Sequence, residues 1–149
     1  MDIQESDKMR DILQGIHQYS SQLAISNVVK FFDQRGVTVT KSMIQNYVRD
    51  GLLPPPVNKR YYTHKHLAAL ALIDALKTVY EMTVIKAVLR PLMDEEGIPL
   101  EVYRQCVQKT DEIAICWQEN VAPLVSEGAL FLMVHSVDLK DAVIERVNT

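Results

Sequence analysis

The sequence predicts an all-α, mainly helical chain with one small β-hairpin near its middle and a helical tail behind it. Three observations carry that expectation. Apolar residues recur near a 3.6-residue period in several stretches, beginning with Leu23, Val28, Phe31 and Phe32. The periodic stretches are interrupted by Pro54-Pro55-Pro56, which removes three backbone donors and forbids helix. Charge is segregated: residues 1–25 carry net −2, residues 26–93 net +6 and residues 94–149 net −7, within an overall −3. A length of 149 residues, 48% of them apolar, suits one domain or one small domain with an appendage.

Taken in order, residues 1–20 are polar with scattered Ile3, Met9, Ile12, Leu13 and Ile16, which fits a short helix or an arm. From Leu23 a helix is expected, with Ser21 or Ser26 as its cap and Gly36 at its end. Thr40 is suited to cap the next helix, Lys41 to Arg49. There Met43, Ile44, Tyr47 and Val48 share one face, and Lys41, Ser42, Gln45, Asn46 and Arg49 share the other. Asp50-Gly51 stops it. Asn58-Lys59 then reads as a turn and Arg60-Tyr61-Tyr62 as a short β return, with one tyrosine of the pair buried and the other exposed.

Thr63 caps a strongly apolar helix through Leu67, Leu70, Leu72, Ile73 and Leu76. A break near Met82-Thr83 leads to a further helix, Val84 to Met93. Asp94-Glu95-Glu96-Gly97-Ile98-Pro99 reads as an acidic, solvated linker. A long helix is expected from Leu100 to about Asn120, with Pro123 breaking the pattern. Leu130 to Val134 and Val137 to Val147 read as short closing helices, the former alternatively as a strand. The implied division is an N-terminal helix or arm (1–20), a central domain (21–97) and a C-terminal helical dimerisation region (98–149).

Several function classes are disfavoured. No run approaches 18 uncharged apolar residues, so no membrane span is expected. The acidic start is unlike a secretory signal, so the expected location is the cytoplasm. Cys106 and Cys116 would lie about 15 Å apart on one helix, too far for a disulfide, and are expected to be reduced thiols. No metal-ligand cluster, phosphate loop or nucleophile–base pair is visible. Neither a cofactor nor an enzyme activity is expected, and no small-molecule effector is evident. His64 and His66 are expected on a helix surface rather than on a metal.

The informative stretch is residues 39–67, where a polar-faced helix, a hairpin and a third helix follow one another. That layout, a winged helix-turn-helix, offers double-stranded DNA a helix for the major groove and a wing for the backbone or minor groove. Lys41 and Arg49 can meet phosphates or guanine edges, and Gln45 and Asn46 can pair with adenine. Lys59, Arg60 and Lys65 add positive charge at the wing. Thr40, Ser42, Tyr47 and Tyr61 complete the candidate DNA-binding set. Tyr47 is assigned first to a packing wedge, with base reading as the alternative.

Val39-Thr40, Ile44, Tyr47, Gly51-Leu52-Leu53-Pro54-Pro55, Arg60, Tyr62-Thr63 and Leu67 resemble the MerR transcription-factor signature, spaced without a gap from Tyr47 to Leu67. The likeness extends over roughly residues 23–93. The phrases TKSMIQNYVRDGLLPPP and KRYYTHKHL resemble still more closely an uncharacterised MerR-like family of Gram-positive bacteria, known as a domain of unknown function. The resemblance implies a transcription regulator in which Arg60 matches the wing arginine. Ser42 and Gln45 stand where MerR proteins usually carry arginines, which lowers the expected phosphate affinity of that helix. An alternative is a protein-interaction module that keeps the fold without DNA binding.

Two copies would read two half-sites. The stripe Tyr103, Val107, Thr110, Ala114, Trp117 and Val121 repeats at heptad-like spacing and is the expected homodimer interface. Its alternative is packing on its own domain.

Overall fold

A computed structural model describes residues 4–120 and 125–148. The chain is mainly helical. Its elements are α1 (Gln4–Ile16), α2 (Ile25–Asp33), α3 (Lys41–Arg49), α4 (His64–Leu76), α5 (Met82–Leu89), a 3-10 turn (Arg90–Leu92), α6 (Leu100–Asn120) and α7 (Val125–Val147). None of the described helices is long and apolar enough to cross a membrane.

Four local expectations are corrected. α2 begins at Ile25, not Leu23, because Leu23 is drawn into an antiparallel bridge with Tyr62 through bonds of 2.9 and 2.8 Å. Its N-cap is Ala24, so neither Ser21 nor Ser26 caps it. The helix expected over 84–93 starts two residues earlier and ends at Leu89, and Pro91 sits in the 3-10 turn behind it. The two closing helices are one continuous helix, α7.

The expected β-hairpin shrinks to one bridge, Val57 to Tyr61, closed by a turn over residues 58–60. The prolines explain the brevity: residues 54–56 have no N–H with which to extend a ladder. Asn58 (φ 54°) and Lys59 (φ 62°) both occupy the left-handed region. Asparagine tolerates it, whereas a lysine there is strained.

One apolar core runs from Met9 to Val107 and crosses both of the expected domain boundaries. Met9, Ile12 and Ile16 of α1 are buried in it, so of the two expectations for this segment, helix or arm, the helix holds, and it packs against α4 and α6. The expected acidic linker is docked as well. Ile98 is buried, its N–H donates to the Lys65 carbonyl at 3.2 Å, and Asp94 accepts from Lys65 Nζ at 2.6 Å. α6 enters the core through Tyr103 and Val107. Arg10 of α1 forks onto Asp111 of α6 one turn further on. Beyond that contact the described side chains of α6 are exposed, Ile113 and Ile115 among them. α7 returns to touch α5 near Val143, while Leu130, Met133, Val134, Val137 and Leu139 remain exposed.

Candidate nucleic-acid interface

α3 is held from three directions. The Thr40 hydroxyl accepts the Met43 N–H at 3.1 Å, so this side chain is committed to the cap. Ile44 is buried, and Met43, Tyr47 and Val48 are half-buried. The Tyr47 carbonyl accepts the N–H groups of Leu52 (2.9 Å) and Leu53 (3.1 Å), which turns the chain toward the hairpin. Lys86 of α5 donates to the Asp50 carbonyl at 2.8 Å and pins the helix end, a contact that nothing in the sequence pattern announced.

Lys41, Ser42, Gln45, Asn46 and Arg49 are all exposed on the opposite face. Arg49 Nε meets Asp50 at 3.4 Å, with both side chains well exposed. Such a pair is weak and exchanges readily for another anion. Tyr47, on the packed face, lines a cavity of about 410 Å³ with Asn46, Leu52, Met82 and Lys86. Burial raises its phenol pKa.

At the hairpin Lys59 and Arg60 are exposed at the turn. Tyr62 is buried, as expected of one of the pair, and Tyr61, expected to be exposed, is half-buried. Lys65 stands apart from the set. Its ammonium is bonded to Asp94, and that bond raises the Lys65 pKa and lowers that of Asp94. The site therefore offers three exposed cations, Lys41, Lys59 and Arg60, and a fourth in Arg49, loosely held by Asp50.

The least foreseen residue is His66, expected on the surface and found with 0% exposure. Its Nδ1 accepts the Thr63 N–H at 3.0 Å, so that nitrogen is unprotonated. Nε2 then carries the hydrogen and donates to the carbonyls of Pro54 (3.2 Å) and Pro55 (3.1 Å). One imidazole thus closes the capping box of α4 and ties down the proline segment leading to the hairpin. A capping box ordinarily has Glu or Gln at this position. The spacing Thr63-x-x-His66 was the available signal.

Of the expected pairing stripe, Tyr103 and Val107 are covered by their own chain, and the Tyr103 hydroxyl donates to the Met9 carbonyl at 2.9 Å. Thr110 is half-buried and donates to the Cys106 carbonyl at 2.7 Å. The side chains of Ala114 and Trp117, and Val121, lie outside the described residues. Cys106 and Cys116 are free thiols, and burial raises the Cys106 pKa.

No curated protein and no solved structure matches the chain. A family model described as a domain of unknown function (DUF1836) matches residues 9–106. Among the described residues, the buried core spans Met9 to Val107, nearly the stretch that the family model matches. The match covers well over half of the chain, which therefore belongs to the DUF1836 family.

Proposed function

We propose that this chain is a sequence-specific DNA-binding regulator of transcription, a MerR-like winged helix-turn-helix that acts as a homodimer on double-stranded DNA. The carrying observation is α3. A nine-residue helix, anchored by Ile44, Tyr47 and Val48, leaves Lys41, Ser42, Gln45, Asn46 and Arg49 together on one exposed face. A second support is Lys59. A lysine in left-handed backbone at an exposed turn, where glycine would carry no strain, keeps a cation at the wing tip against a conformational cost. The net +6 of residues 26–93 supplies the local field in an otherwise acidic chain.

The test is a salt-resolved binding titration against genomic fragments. Gln45→Ala is expected to relax preference at one base pair by about 1–3 kcal/mol. Arg49→Ala should weaken all sequences alike. Lys59→Ala with Arg60→Ala should lower the salt slope by about two, near one per lost phosphate contact. Wild-type affinity and slope in all three variants would refute the reading. They would favour the interaction-module alternative, which the absence of arginine at Ser42 and Gln45 supports.

The pairing surface is assigned to the part of the tail that the core does not use. Ile113 and Ile115 on α6 and Leu130, Met133, Val134 and Val137 on α7 are more than half exposed. On α7 the spacing of Leu130, Met133, Val134 and Val137 puts all four on one helix face, and an exposed apolar face of this kind marks an association site. Light scattering at tens of micromolar should report a dimer, and Met133→Glu with Val137→Glu a folded monomer with weaker DNA binding. A wild-type monomer would contradict the assignment.

A further inference from the structure

Two cavities of the protein have polar and charged walls. The one at the base of the hairpin, about 330 Å³, is lined by Asn58, His64, Lys65 and Glu96 among others. The one beside α3 has Asn46, Asp50 and Lys86 in its wall. A further cavity, of about 180 Å³, differs from both. It lies where α4, α5 and α7 meet and is lined by Leu76, Tyr80, Val84, Ile85, Val88 and Val143. The Tyr80 hydroxyl is the one polar side-chain group among these residues.

The backbone at its rim is already bonded. The Leu76 carbonyl accepts the N–H groups of Val79 (3.1 Å) and Tyr80 (2.9 Å). The Glu81 carbonyl accepts those of Val84 and Ile85, both at 3.1 Å. A water in the cavity would find fewer than the roughly two to four polar partners that hold an ordered water. Native interiors leave few voids larger than one water molecule. A dry cavity of about 150 Å³, lined by aliphatic and aromatic side chains, takes up benzene. The lining residues other than Ile85 are half-buried, so the cavity reaches the surface and a ligand has a way in.

We propose that the cavity between α4, α5 and α7 binds a small, uncharged, mainly apolar molecule, between benzene and indole in size. A charged ligand is excluded because no lining side chain carries a charge to pair with it. Tyr80 adds an aromatic ring to an otherwise aliphatic wall.

The site is separate from the surface assigned to pairing. Val143 lies about 120° around α7 from Val137, off the face that Leu130, Met133, Val134 and Val137 share. Leu139, four residues before Val143 and exposed, is on the same side as Val143 and continues the apolar rim. The cavity also adjoins the support of α3. Ile85 lines it, and its neighbour Lys86 donates to the Asp50 carbonyl. The binding itself does not depend on the DNA reading.

The test titrates benzene and indole into the full chain and follows methyl resonances by NMR. Saturable shifts are expected at Leu76, Val84, Ile85, Val88 and Val143, with a Kd of about 1 mM or tighter. Benzoate and benzylammonium, charged molecules in the same size range, should bind at least about tenfold more weakly. Val88→Phe places a ring in the cavity. It should abolish indole binding and leave the melting temperature unchanged or higher. Should it fail to fold, Val143→Phe fills the cavity from the opposite wall. Should that fail too, the preference of the wild type for indole over benzoate and benzylammonium decides alone. No saturable shift, equal binding of charged and uncharged probes, or wild-type affinity in a folded cavity-filling variant would overturn the proposal. Light scattering with and without indole tests the other occupant. An unchanged mass supports the ligand site, whereas dissociation of a dimer by indole would assign the cavity to a side chain of a second copy.

Discussion

Tyr103→Ala is expected to destabilise the chain by about 3–5 kcal/mol, the range for deleting a fully buried aromatic side chain. Tyr103 has 0% exposure and is among the largest side chains fully inside the core. It is also the place where α6 is joined to α1, through the hydroxyl that donates to the Met9 carbonyl. Tyr103→Phe keeps the ring and removes the bond to Met9, and should cost about 1 kcal/mol, the net value of one intramolecular bond. The pair of variants separates packing from polarity. Urea unfolding measures both, with the slope m checked so that a shifted midpoint can be read as stability. Were Tyr103 an intermolecular contact, as the heptad-like spacing suggested, Tyr103→Ala would instead give a monomer of nearly unchanged stability at low concentration. A loss under 1 kcal/mol accompanied by dissociation would reject the packing described here.

Periodicity reports that a helix has an apolar face. It does not report which chain covers that face. Tyr103, Val107 and Thr110 repeat at the spacing of an intermolecular stripe, yet the first two are buried by their own chain, Tyr103 with its hydroxyl on Met9 of α1, 94 residues earlier. The same limit applies to α1. Met9, Ile12 and Ile16 fitted a short helix or an arm, and their spacing did not say that the helix packs into the core. α3 was legible in full because nine residues with a good cap and a clear stop have only two faces to distribute. The turn at Asn58-Lys59 was legible; the strands of the expected hairpin are reduced to an isolated bridge, which the missing proline donors explain.

The polar contacts that shape the candidate site were the least legible. His66 bonds carbonyls 11 and 12 residues back, and Lys65 meets Asp94 at a separation of 29. Local sequence carries no trace of which distant backbone a side chain will find. For Lys65 the consequence is direct: a cation counted toward DNA from its position at the wing is engaged by a carboxylate from the loop before α6. The exposed set on α3 and at residues 59 and 60 survives because it has no comparably strong partner among the described residues, the loose Arg49–Asp50 contact aside.

Gly97→Ala should cost about 3 kcal/mol, combining backbone strain with a steric collision. Gly97 sits at φ +136°, a region open essentially to glycine, and a Cβ there would lie 2.4 Å from the Lys65 carbonyl oxygen and 3.0 Å from the His66 nitrogen. Neither side can yield cheaply. The Lys65 oxygen is in the first turn of α4 and accepts the Ile98 N–H, while the Gly97 carbonyl accepts the Asp94 N–H at 2.9 Å. Ile98, next in the chain, is anchored in the core. Gly36→Ala supplies the control. Gly36 also has positive φ, +73°, but a Cβ there meets nothing within 4 Å, so only strain of about 1 kcal/mol is expected. Thermal unfolding of the two variants side by side measures the difference. A solvated linker at residues 94–99 would make the two substitutions equivalent, and equal melting temperatures would restore that reading. A larger loss at Gly97 also predicts a local effect, because the displaced backbone is that of Lys65 and His66. Amide protection at Tyr62 should then fall more in Gly97→Ala than in a variant of matched global stability.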